Sequence, residues 1–256
     1  MKVYCCQLDI AWENKPENFR KVRAMLERTR PERGSMVVLP EMFSTGFSMN
    51  VSGIAERHAP GAEQFLHDVA REFGVFVVGG LVNKAVDGKG LNEAVVMSPE
   101  GQELTRYAKI HPFTFGGELE HYSRGTEIEE FEWNDLKVTP FICYDLRFPE
   151  VFRTAVKHGA EMFVVIANWP NKREQHWVTL LQARAIENLA YVVGVNRSGS
   201  DPKLVYPGRT MIIDPHGNIL ADAGLNEGMI SAEIDADVVR NWRRDFPALN
   251  DIHWRD

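Results

Sequence analysis

Short apolar runs alternate with helical stripes along the chain. Val3 to Asp9 reads as a strand, and after the corner around Asn14 to Pro16 the residues Phe19, Val22, Met25 and Leu26 recur at helical spacing. That spacing predicts a helix over 17–30 with one apolar face. Gly34 closes the connection and Met36 to Leu39 form the next strand. A second amphipathic helix is expected from Pro60 to Gly74, with Phe65, Val69, Ala70 and Phe73 on its inner side. Val75 to Val82, Leu91 to Ser98 and Glu103 to Lys109 then read as a meander of strands joined by the turns AVDGKG and PEGQ. His111 to Glu127 shows no clear period; so long a structureless stretch inside a compact domain points to function or disorder.

In the second half, Val138, Thr139, Phe141 and Ile142 predict a strand that ends at Cys143, then a polar corner and a helix from Glu150 to His158 opening near Pro149. Met162 to Ala167 is a buried strand. Glu174 to Leu189 is a helix striped by Trp177, Leu180, Leu181, Ala185 and Ile186, and Tyr191 to Asn196 is again a strand. After the loop RSGSDPK come strands over Gly208 to Asp214, Ile219 to Ala221 and Met229 to Ile234, then a short helix from about Ala236 and the tail FPALNDIHWRD. No repeat, linker or composition break interrupts residues 1–256, so one α/β domain is expected. Interleaved helices and strands fit either a doubly wound sheet or a two-sheet sandwich, and the frequent hairpin turns disfavour an all-parallel sheet.

Composition narrows the partners. The 256 residues are 44% hydrophobic, ample for a core, and the net charge of -7 comes without a Lys/Arg cluster, which argues against nucleic acid or an anionic membrane as partner. No run approaches a membrane span, and MKVYCCQLDIAWENK holds Asp9 and Glu13 and lacks the apolar core of a signal peptide. Of three cysteines, Cys5 and Cys6 are neighbours on a strand and point to opposite faces, so no disulfide framework is expected; a reducing cytoplasm is the expected location. Grouped zinc ligands, a phosphate loop and a dinucleotide fingerprint are all missing, and no histidine sits in a word that suits a Cys–His protease. Neither metal nor cofactor is expected.

Candidate chemistry sits at three strand ends. Cys143 closes a buried strand just before a tight turn into a helix, a position that presents a side chain on a rigid support. It equally suits a small buried hydrophobe, which is what most free cysteines are. Glu41 follows the run MVVLP and heads the Phe/Met/Gly-rich loop EMFSTGFSMN, and Lys109 ends ELTRYAK. A nucleophile, a carboxylate and an ammonium are therefore offered in equivalent places.

The words LPE, YAKIHPF and CYDLRFPE resemble the Glu-Lys-Cys triad of the nitrilase, or carbon–nitrogen hydrolase, superfamily, and the likeness runs from YCCQLDIAW to TMIIDPHGNIL. The resemblance implies a four-layer α-β-β-α sandwich and amide hydrolysis through a thioester. Cys143 would be the nucleophile, Glu41 the base that takes and returns its proton, and Lys109 with the backbone N–H of Tyr144 the oxyanion donors. Glu118, seven residues before Gly125, matches a second glutamate that orients Lys109 and the substrate. Asp145 and Arg147 read as a pair that holds the elbow.

Within the superfamily, KIHPFTFGGE, ICYDLRFPE and IANWP are most similar to the omega-amidase branch, which hydrolyses 2-oxoglutaramate and 2-oxosuccinamate left by glutamine transamination, alongside methionine salvage. Such a substrate calls for a cation at its far carboxylate: Arg173 is the candidate, with Lys172 the alternative. Phe43, Phe47 and Trp169 are candidate walls. A homodimer is implied, with the apolar tail (Trp242, Phe246, Leu249, Ile252, Trp254) docked on the partner or on its own domain.

Overall fold

Alternation along the first strand sets the layering. In the computed structural model, which describes residues 1–56 and 61–253, β1 (Lys2–Gln7) sends Val3 and Cys5 to one side and Tyr4 and Cys6 to the other. Val3 and Cys5 join the core between two sheets; Tyr4 and Cys6 join a second apolar cluster beneath α1 (Lys15–Thr29) and α3 (Ala62–Phe73). The period-2 geometry of a strand thus feeds two separate cores from one run of residues.

The first sheet has the order β14-β1-β2-β3-β4-β5, built from β2 (Met36–Val38), β3 (Phe76–Lys84), β4 (Gly90–Met97), β5 (Glu103–Ala108) and β14 (Gly228–Glu233). The second has the order β13-β12-β9-β8-β7-β6, from β6 (Phe131–Trp133), β7 (Leu136–Ile142), β8 (Met162–Ala167), β9 (Tyr191–Asn196), β12 (Met211–Ile213) and β13 (Ile219–Asp222). In both, a parallel centre (β1-β2-β3 and β7-β8-β9) carries antiparallel edges. α5 (Pro149–Lys157) and α6 (Glu174–Asn188) contribute Phe152, Trp177 and Leu181 to the core of the second sheet. Helix, sheet, sheet, helix is the sandwich the resemblance implied. No described helix is long and apolar enough to cross a membrane.

Four places differ from the sequence reading. β6 was hidden because three residues are too few to show a period, although Phe131 and Trp133 alternate inward around exposed Glu132. The loop RSGSDPK closes a two-stranded ribbon of β10 (Ser198–Ser200) and β11 (Val205–Pro207). The aperiodic stretch from His111 folds into a turn at Thr114–Gly116 and one helical turn, α4 (Glu118–His121), and a further single turn, α2 (Val51–Ile54), follows the Glu41 loop. The expected helix start at Pro60 lies outside the described residues, as does Trp254 of the tail. α7 (Ala236–Asp245) packs Val239 into the core of its own chain, and Trp242 meets His216 at a tilt and stacks on Phe246, which stays half exposed.

Candidate active site

Four glycine- and turn-defined loops meet above the carboxyl ends of β2, β5, β7 and β8. Glu41 stands three residues past β2, and its backbone presses against β3 so closely that a Cβ on Gly80 would sit 2.6 Å from Glu41 Cα and 2.5 Å from Met42 N. Only glycine permits that approach. Lys109 is the residue after β5; its carbonyl accepts from Gly125 N at 2.8 Å, where a Cβ on Gly125 would strike the Ala108 carbonyl.

Cys143 opens a tight 3₁₀ turn, Cys143–Arg147, in the left-handed region at φ +48°, and Met42, beside Glu41, is also left-handed at φ +44°. Such conformations are unfavourable for residues with a Cβ and persist where surrounding contacts fix them. For Cys143 the fixing group is Asp145, fully buried, whose Oδ2 accepts from Ile142 N at 3.0 Å and from the Tyr107 hydroxyl at 2.8 Å. Its Oδ1 accepts from His111 N at 2.9 Å and lies 2.8 Å from His111 Nδ1. The carboxylate therefore ties the turn that opens with Cys143 to the strand end that carries Lys109. The expected Asp145–Arg147 pair does not form, because Asp145 faces inward to these donors and Arg147 faces the cleft.

Glu41, Lys109 and Glu118 are buried together. Lys109 Nζ lies 3.0 Å from Glu41 Oε1 and 2.9 Å from Glu118 Oε2. Glu41 Oε1 also accepts from Asn92 Nδ2 at 2.7 Å, and its Oε2 accepts from Asn168 N at 2.7 Å and Asn168 Nδ2 at 3.2 Å. Asn92 reaches Glu118 Oε1 as well, at 3.0 Å, and Phe113 N donates to Glu118 Oε2. Burial alone would strip Lys109 of its proton, but the charges of Glu118 and Glu41 outweigh it and hold the ammonium far above its ordinary range. Glu118 is raised, by burial first, with Lys109 opposing and Glu41 reinforcing. Cys143 is raised well above a usual thiol by burial and then by Glu41, with Lys109 and the Asn168 N–H pulling the other way. Burial and the Glu41 charge thus both favour the protonated form of the Cys143 thiol.

Cys143 opens into a cleft of about 410 Å³ counting its mouth. Phe47 and Trp169 line it, together with Phe113, Tyr144 and Tyr206. Arg173 lines it; Lys172 is exposed and does not. Phe43 is not brought there: it is fully buried between Phe19 and Phe65 in the helix-side cluster, since the strained turn at Met42 rolls it away from Glu41. Sequence reasoning missed Asn92, Asn168 and Arg147. Asn168 stood inside the quoted word IANWP and Arg147 inside CYDLRFPE; Asn92 stands beside Glu93 near the start of a strand that is otherwise mostly apolar.

The sequence profile described as carbon-nitrogen hydrolase matches residues 2–244. A 2-oxoglutaramate amidase of Bacillus subtilis (strain 168) is 35% identical, the match covering 98% of this chain and 96% of that protein. The omega-amidase YafV of Yersinia enterocolitica is 37% identical, with 98% and 96% covered. Among solved structures, XC1258 of Xanthomonas campestris, a CN-hydrolase superfamily protein with an arsenic adduct in its active site, superimposes with a TM-score of 0.92 at 31% identity, covering 100% of this chain and 98% of that one. By profile, relatives and fold, the chain belongs to the carbon–nitrogen hydrolase family.

Proposed function

We propose that the chain is an omega-amidase, hydrolysing the terminal amide of 2-oxo-dicarboxylic acid monoamides such as 2-oxoglutaramate and 2-oxosuccinamate to the dicarboxylate and ammonia. The observation that carries this is that buried Glu41, Lys109 and Glu118 pair with one another and act on the charge of Cys143, which lines a cleft together with Arg173. The names and full-length similarity of the relatives support the same reading.

An amide is a weak electrophile, so the thiol must be activated as it attacks. Glu41 takes the Cys143 proton while sulfur adds to the amide carbon. The oxyanion that forms accepts from the Lys109 ammonium and the Tyr144 N–H, donors whose removal costs roughly two to three orders of magnitude in rate. Glu41 returns the proton to nitrogen, the C–N bond breaks, and ammonia leaves a thioester. Water, deprotonated by Glu41, then cleaves the thioester, and the thiol regains its proton. Glu118 holds Lys109 in place throughout, and Arg173 receives the distal carboxylate, with Phe47 and Trp169 as walls.

The whole chain works as one catalytic domain in the cytoplasm, as a homodimer that covers exposed Phe246 of the tail and Ile186 on α6. Sedimentation and ammonia release from a panel of 2-oxo-amides, plain amides and nitriles test the reading. Release from 2-oxoglutaramate that vanishes in Cys143→Ala supports it; turnover of nitriles or N-carbamoyl compounds without oxo-amides overturns it.

A further inference from the structure

Lys109 meets a ring as well as two carboxylates. Its Nζ lies over Phe47, 5.2 Å from the ring centre, and Phe47 lines the cleft with Cys143, whereas Glu41, Lys109 and Glu118 do not. Phe47 stands at the apex of a three-residue turn in which Ser48 N donates to the Gly46 carbonyl at 2.8 Å. Gly46 is left-handed at φ +76°, so the chain before the ring is a ready hinge and the ring's place depends on what fixes Ser48. Ser48 is buried, its Oγ donates to Glu13 Oε1, and its carbonyl accepts from the Tyr122 hydroxyl at 2.5 Å. Tyr122 comes from another part of the chain: it directly follows α4, and its N donates to the carbonyl of Glu118, the first residue of that turn, at 2.8 Å. The phenol is fully buried in an apolar cluster with Met42, Val51, Ile54 and Val82, against which Phe47 packs. A Cβ on Gly90 would sit 2.6 Å from Tyr122 Cε1, so the ring is fitted closely against β4.

We propose that Tyr122 is a positioning residue of the hydrolase: its hydroxyl, acting through the Ser48 carbonyl, holds Phe47 over Lys109 and so sets the cleft wall beside Cys143. This rests on the hydrolase reading above and adds to it a residue that touches neither the thiol nor the ammonium. The segment after Phe113 then serves Lys109 twice, delivering Glu118 to one side of it and, by way of Tyr122, Phe47 to another. A phenylalanine would fill the same apolar site; what tyrosine adds is one O–H, which costs free energy to bury unless it is bonded and which reaches the loop at the residue next to the ring. The donor is also permanent. Burial first, and then the charges of Glu118 and Glu41, hold the phenol proton far above its ordinary range.

The test is a double-mutant cycle in the full chain between Tyr122→Phe, which removes only the hydroxyl, and Phe47→Ala, read by iodoacetamide alkylation of Cys143 across pH and located by peptide mass. Burial is the largest influence that keeps the Cys143 thiol protonated, ahead of Glu41, Lys109 and Glu118, so a loosened Phe47 admits water and frees thiolate. Tyr122→Phe is expected to move the alkylation midpoint downward and to speed the reaction at neutral pH about twofold to tenfold, the range of one neutral hydrogen bond. In the Phe47→Ala background, where the ring to be held is gone, the same substitution should change the rate by less than about twofold. An unchanged rate and midpoint in Tyr122→Phe, or the same fold-change in both backgrounds, overturns the proposal and leaves the hydroxyl a partner for a buried carbonyl and nothing more. The cycle needs no turnover, so it stands or falls separately from the ammonia assay.

Discussion

Asn168 grips Glu41 from three directions: its backbone N–H and side-chain Nδ2 both donate to Glu41 Oε2, at 2.7 and 3.2 Å, and Nδ2 also donates to the Glu41 backbone carbonyl at 2.7 Å. The residue follows β8 at once, next to the strand β7 that leads into Cys143, so one side chain couples the Glu41 loop to the second sheet. Asn168→Ala keeps the backbone contact and loses the other two. Hydrogen bonds to a charged group are worth about 1.5–3 kcal/mol, so kcat should fall roughly tenfold to a hundredfold with the fold intact. Steady-state kinetics beside an unchanged thermal midpoint would check it; unchanged kcat would remove Asn168 from the machinery.

Glu41 has two opposed effects on Cys143. Its charge helps hold the thiol protonated, second only to burial, and it is also the proposed acceptor of that proton. Glu41→Gln should therefore move the pH midpoint of Cys143 alkylation downward, giving more thiolate at neutral pH, while kcat drops by about two to four orders of magnitude. A midpoint that stays or rises would show that the two groups do not sense each other.

The individual strands and helices were legible because apolar runs and helical stripes mark a sequence, whereas the pattern left the layering open and the sandwich, like the candidate triad, came from the words LPE, YAKIHPF and CYDLRFPE that resemble the nitrilase superfamily. What escaped was set by tertiary contacts. Phe43 follows Glu41 by two residues and looked like a cleft wall, yet the left-handed turn at Met42 carries it into the helix-side core. Asp145 and Arg147 are two apart on a 3₁₀ turn, so they face different directions, one to Tyr107 and His111, the other to the cleft. Asn92 and Asn168 carry no reactive signature, and their worth comes only from what they touch.

Gly80 offers a steric test of how Glu41 is placed. The nearest atoms to an added methyl are backbone, at 2.5 and 2.6 Å, which cannot swing aside as a flexible side chain would. Gly80→Ala should cost about 1–3 kcal/mol of stability and displace Glu41, so activity should fall further than stability predicts. Urea unfolding paired with kcat at a temperature where the variant stays folded separates the two effects. Wild-type activity in the variant would mean the loop can shift without moving the carboxylate.

Alkaline pH should unfold the protein through thiols far from the site. Cys5 and Cys6 are fully buried on opposite faces of β1, and burial raises both, Cys6 to about 12 and Cys5 beyond it. Below about pH 8.5, the ordinary thiol value, both folded and unfolded chains hold these protons and the advantage of the neutral thiols is complete. As pH climbs from there toward 12, the unfolded chain releases protons that the folded chain keeps, so unfolding becomes easier, by at most about 1.4 kcal/mol per pH unit for each thiol. Buried Tyr107 and Tyr206 are raised in the same sense, by burial first, and add to the slope above pH 10. Urea midpoints measured from pH 8 to 10.5 should decline in the wild type and decline less steeply in Cys6→Ala, whatever the cavity costs at pH 8. Parallel slopes in the two proteins would mean that the buried thiols do not drive the loss.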